Sequence, residues 1–131
     1  MAGKDRIEEF TDFRKRMNER ILAEDNQVVR RFFALDTQTY REGALDVKTK
    51  EMLGLVASMV LRCDDCISYH VAQCKEVGVN RAEFFEVFSV GLVVGGSIVI
   101  PHLRRAVDFL DTLEAGEGDA AGCETHGEAG A

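Results

Sequence analysis

The chain has 131 residues, 46% of them hydrophobic, and a formal net charge of -7. That length supports one domain with a real core, and that apolar content separates it from disordered chains. The acidic balance, with no basic stripe, excludes nucleic acid as the expected partner. The longest strongly apolar run, residues 87–100, holds three glycines and is too short to span a bilayer comfortably, so no membrane partner is expected.

The opening MAGKDRIEEF has no apolar signal core and points to a cytoplasmic protein. In that compartment four cysteines read as catalytic or metal-binding thiols and not as a disulfide framework. From residue 5 to about 22, Ile7, Phe10, Phe13, Met17 and Ile21 recur at steps of three and four, which predicts an amphipathic helix. A second helical stretch begins at Asp25, with Val28, Val29, Phe32, Phe33 and Leu35 apolar. Phe32 and Phe33 are expected to pack in the core in preference to a subunit contact. Residues 41–45, with Glu42 and Gly43, read as a turn, and Asp46 is placed to cap the next helix. That helix carries Met52, Leu53, Leu55, Val56, Met59, Val60 and Leu61 and is expected to be central and mostly buried. Glu51 stands inside its first turns, where a carboxylate suits the helix dipole and needs no further role.

The most informative stretch follows: RCDDCISYHVAQC, residues 62–74. It has no Gly or Pro, and Ile67, Val71 and Ala72 sit among its polar residues, which favours helix over an irregular loop. Cys63 and Cys66 form a Cys-x-x-Cys at the helix start. On a helix, residues four apart share a face, so Cys66 and His70 can touch, and Cys74 continues the row. Two chemistries fit. In the first, the pair is a redox dithiol. A helix N-terminus and a neighbouring His favour thiolate and lower such a thiol pKa to roughly 3.5–7.5, while Asp64 and Asp65 push the other way. In the second, Cys63, Cys66 and His70, with Cys74 as a candidate fourth ligand, bind zinc, although four ligands from one helix and its entry are a strained set. For Cys74 alone the simpler reading is a small buried hydrophobe. If the two helices form an antiparallel hairpin turning near Leu61, residue 51 lies opposite residue 70 and Glu51 can orient His70. A straight chain would instead leave Glu51 about 18 Å from Cys63 at ~1.5 Å rise per residue.

Gly78 reads as the stop of the cysteine helix. Asn80 with Glu83 makes a capping-box pattern for the next helix. Phe84, Phe85, Val87, Phe88, Val90, Leu92, Val93 and Val94 make that helix apolar nearly all round, so it is expected to be buried in the core or between subunits. Gly95 and Gly96 stop it, Ser97 is placed to cap the last helix, and Pro101 fits near that helix's start. His102, in its opening turn, reads as a surface or interface residue, with a place lining the thiol pocket as the alternative. From Glu114 onward the chain is rich in Gly, Ala and Glu, and 114–131 is expected to be a disordered tail after a single domain over 1–113. Cys123 and His126 fall in that tail.

Glu51, Cys63, Cys66 and His70, in the spacing Glu-x11-Cys-x-x-Cys-x-x-x-His, resemble the signature of the carboxymuconolactone decarboxylase superfamily, and within it the alkylhydroperoxidase D branch. The likeness extends over about residues 46–113. It implies an all-α domain of about six helices with a helical hairpin carrying the Cys-x-x-Cys. It also implies a peroxiredoxin-like thiol peroxidase or disulfide reductase without a cofactor. In that family the second cysteine attacks the peroxide, here Cys66, and the first resolves the sulfenic acid, here Cys63. Glu51 and His70 correspond to the proton relay. The implied partners are a hydroperoxide substrate, a reducing protein or small dithiol, and further copies of the chain in a trimer or hexamer. The founding peroxidases have His just before the second cysteine, where this chain has Asp65. A zinc or structural module and a lactone decarboxylase are the alternative functions.

Overall fold

A computed structural model describes the chain over residues 2–123, with side chains over 6–117. Six α-helices follow in order: α1 (Ala2–Ala23), α2 (Gln27–Thr39), α3 (Val47–Val60), α4 (Asp64–Glu76), α5 (Arg81–Gly95) and α6 (Ile100–Cys123). A 3-10 turn, Ser97–Val99, joins the last two. Among the described residues there is no strand, so the fold is all-α as the sequence implies.

The helix boundaries follow local chemistry. The Asp46 side chain accepts the Thr49 N–H at 2.8 Å and starts α3. Asn80 and Glu83 form the reciprocal capping box that starts α5. Helix α4 ends in a Schellman motif: the Val79 N–H returns to the Cys74 carbonyl and the Gly78 N–H to that of Lys75, with Gly78 at φ 91°. Helix α3 ends the same way, with the Cys63 N–H on the Ser58 carbonyl and the Arg62 N–H on that of Met59. Arg62 occupies the position usually held by Gly, at φ 61°. A non-glycine residue there costs about 1–2 kcal/mol. That single left-handed residue reverses the chain between Val60 and Asp64.

Helix α3 is the centre of the domain, packed against α4 and α5, while α6 covers α4 and meets α1. Leu55, Met59, Ile67, Val71, Phe84, Phe88 and Leu110 are essentially inaccessible to solvent. Each such side chain contributes about 1.5–3 kcal/mol of burial.

Three expectations change. Helix α2 buries none of its residues, and Val28, Phe32 and Leu35 point outward, so the expected core placement of Phe32 is wrong and Phe33 is only half-buried. Periodicity locates an apolar face but not what covers it. Ser97 opens the 3-10 turn and makes no side-chain cap, because Gly96 at φ 85° has already redirected the chain. The disordered tail expected from Glu114 instead continues α6 to Cys123. There Glu114 pairs with Arg81 at 2.5 Å and Glu117 with Lys75 at 3.0 Å. The rest of that segment, including His126, lies outside the described residues.

Candidate functional site

The tight reversal at Leu61 and Arg62 lays α4 antiparallel along α3, so residue 51 comes opposite residue 70. Glu51 Oε1 lies 2.8 Å from His70 Nδ1, with Glu51 4% and His70 9% exposed. A carboxylate only accepts hydrogen bonds, so Nδ1–H donates to it and Nε2 is the ring's basic nitrogen. Gly54, one turn beyond Glu51, makes room for the imidazole. A Cβ there would sit 2.6 Å from Cε1, 2.8 Å from Nε2 and 2.9 Å from Nδ1. A helix-interior glycine costs about 1 kcal/mol relative to Ala, so this one has a packing reason that the sequence reading did not use.

Two tyrosines, all that the chain contains, flank the same ring: Tyr40 with centroids 5.5 Å away and Tyr69 at 5.2 Å. Burial first, and then the Glu51 charge, raise both phenol pKa values, so each remains a neutral O–H donor. Tyr40 is delivered by the end of α2, which Lys50 holds by donating to the Thr39 and Arg41 carbonyls at 2.9 and 2.7 Å. The Arg14 guanidinium from α1 stacks over Tyr69 at 4.1 Å. Neither tyrosine carries a periodic signal. Tyr69 arrives with the hairpin, next to His70 on α4, and Tyr40 arrives from the C-terminal end of α2.

Cys63 is the N-cap of α4, and it is joined to Cys66 in a disulfide with Cα atoms 5.3 Å apart. Cys63 Sγ also accepts the Cys66 N–H at 3.2 Å. The capping position exposes sulfur to the unpaired N–H groups and partial positive charge of the helix start, the setting that stabilises thiolate on reduction. Thus the structure brings Glu51 of α3 to His70 of α4 and joins Cys63, the α4 N-cap, to Cys66 in the first turn of α4. His102, expected at the surface or an interface, is largely covered and bonded to Asp64. Among the described residues, no group of three or more His, Cys, Asp or Glu side chains is arranged to hold a metal ion.

Cys74, one turn beyond His70, is fully buried, and burial with the nearby Glu51 charge pushes its thiol up to about 12. It behaves as a small hydrophobe. Native protein treated with iodoacetamide at pH 8 is therefore expected to leave Cys74 unlabelled, with labelling only after denaturation. Peptide mass mapping reads the difference, and rapid native labelling would contradict the burial argument.

The model of the carboxymuconolactone decarboxylase family matches residues 26–109. The chain belongs to that family. Two crystal structures of one Thermotoga maritima family protein, TM1620, superpose with TM-scores of 0.82 at 54% and 53% identity, covering 85% and 86% of this chain and 97% and 95% of theirs. An antioxidative role has been suggested for that protein. A Legionella pneumophila family member, lpg0406, shares the fold at a TM-score of 0.71 and 24% identity over 85% of this chain and 96% of its own. Among curated relatives, protein 4 of the cox locus of Paracoccus denitrificans is 26% identical over 63% of this chain and 75% of its own, and its function is uncharacterised. The family match takes in α2 to α6 nearly to the end of the core, and thus the whole Glu51–Cys63–Cys66–His70 hairpin. No described helix of this family member is long and apolar enough to cross a membrane.

Proposed function

We propose that the chain is a thiol peroxidase of alkylhydroperoxidase type, a cytoplasmic enzyme that reduces organic hydroperoxides through Cys63 and Cys66. The observation that carries this reading is the Cys63–Cys66 disulfide at the start of α4, one turn from a buried Glu51–His70 pair. In the reduced protein His70 Nε2 takes the Cys66 proton, and Glu51 stabilises the imidazolium that results. The Cys66 thiolate attacks the terminal peroxide oxygen. The O–O bond breaks, the alkoxide takes a proton from His70 and leaves as alcohol, and Cys66 becomes a sulfenic acid. The Cys63 thiol then attacks that sulfur, forming the disulfide and releasing water. A dithiol, either a small molecule or a reducing protein, restores both thiols by exchange. The O–O bond gains two electrons and the two cysteines lose them.

Assembly into a trimer or hexamer belongs to the same proposal. It is supported by two apolar faces that this chain leaves open, Val28, Phe32 and Leu35 on α2 and Val90, Val93 and Val94 on α5. The founding activity of the family favours a second reading, decarboxylation of a small lactone acid, which needs neither thiol.

Consumption of tert-butyl hydroperoxide with dithiothreitol as donor separates the two. The native protein is expected to turn over and Cys66→Ser to fall to background. Full turnover by Cys66→Ser refutes the assignment, and lactone decarboxylation surviving in the Cys63→Ser/Cys66→Ser protein would establish the second reading.

A further inference from the structure

We infer that His102 and Arg105, both on α6, are positioning residues of the dithiol: by holding Asp64 they cancel the charge that would oppose a thiolate in the Cys63–Cys66 loop, and they fix the start of α4. Asp64 is the residue after Cys63 and the first of α4. Its two oxygens go to two different partners. Oδ1 lies 2.7 Å from His102 Nδ1, and Oδ2 accepts from Arg105 Nε at 2.9 Å. Since a carboxylate only accepts, Nδ1–H of His102 is the donor. The two partners come from a helix some forty residues further along, so the contact is tertiary and ties the redox turn to α6.

The chemistry follows from the charges. An unpaired carboxylate inside a Cys-x-x-Cys loop disfavours a second anion on either sulfur. Here three acids near the turn each have a cation of their own. Asp64 has Arg105, Asp65 lies 3.8 Å from Arg14 on α1, and Asp108 of α6 is bound by Arg6 of α1 at 2.6 Å. The Asp64 contact is the tight one nearest Cys63. Burial pushes the Asp64 carboxyl up, yet the bond from His102 and the charges of His102 and Arg105 hold it below the usual carboxylate range. The positive end of α4 is thereby left to act on the sulfurs and is not spent on the aspartate.

The inference rests on the dithiol chemistry proposed above, and its test reads the thiols directly. The reduced protein, in a Cys123→Ser background, is titrated by thiolate absorbance near 240 nm. Arg105→Met and His102→Gln are each expected to raise the midpoint of the first thiol by on the order of one pH unit, with Tm recorded alongside. Asp64→Asn removes the charge to be cancelled and is expected not to raise it. Combining His102→Gln with Asp64→Asn is expected to abolish the effect of the former. Unchanged midpoints in folded Arg105→Met and His102→Gln overturn the inference. So does a His102→Gln effect that persists undiminished beside Asp64→Asn, because the residue would then act by another route. Arg105 is largely exposed, so its variant carries the test even where His102→Gln fails to fold. A protein that shows these shifts but no peroxidase turnover would refute the proposed function and leave the positioning role standing.

Discussion

Replacing His70 with Asn is expected to slow hydroperoxide turnover by ~10²–10⁴-fold, the range over which a positioned general base acts. The geometry explains why the loss should be in the chemical step. His70 is 9% exposed and its Nδ1 is committed to Glu51, so only Nε2 can exchange a proton with sulfur or alkoxide. Asn cannot take that proton, although it is near enough in size to keep the fold. Glu51→Gln should fall less, because its amide oxygen still accepts Nδ1–H while the charge that steadies an imidazolium is gone. Steady-state rates against pH check both. Raising the pH forms thiolate without help from a base, so the deficit of His70→Asn should narrow in alkali. A His70→Asn variant with native kcat would remove the relay from the mechanism.

Gly54→Ala is the second large effect. By helix propensity alone the change should stabilise the protein by about 1 kcal/mol. The new methyl would instead meet the imidazole at 2.6 Å, and the ring is wedged between Tyr40 and Tyr69. Overpacking of this kind costs about 1–3 kcal/mol. The ring is the movable partner, so relief comes by shifting His70 off Glu51. Turnover is thus expected to fall toward that of His70→Asn, with a smaller loss in Tm. Gly91→Ala is the control: its Cβ would meet the flexible Met59 side chain at 3.4 Å, an ordinary contact. A Gly54→Ala protein with native rate and raised Tm would show that the close approach constrains nothing.

What the sequence made legible was local. Caps at Asp46 and Asn80, the stop at Gly78, and the spacing between Glu51 and His70 are short-range signals. Even so, the hairpin turns on Arg62 at φ 61°, a residue type that gives no warning of a left-handed conformation. Long-range placement was not legible. The α2 stripe of Val28, Phe32 and Leu35 has the pattern of a core face and buries nothing within the chain. His102 looked like a surface residue because its partner, Asp64, lies 38 positions earlier. The run after Glu114 looked too polar to order, yet Lys75 and Arg81 on neighbouring helices pair with its acids. Gly54 was the one missed site residue with a readable signal, a glycine one turn from Glu51 in an otherwise helix-favouring segment.

In the proposed cycle Cys66 is the sulfur that peroxide oxidises and Cys63 the one that closes the disulfide. The direct measurement is to add one equivalent of hydroperoxide to each reduced single-cysteine variant in the presence of a sulfenic-acid trap, and to map the adduct by mass spectrometry. A trapped adduct is expected on Cys66 in Cys63→Ser and none on Cys63 in Cys66→Ser. An adduct confined to Cys63, or no adduct on either sulfur, would contradict it.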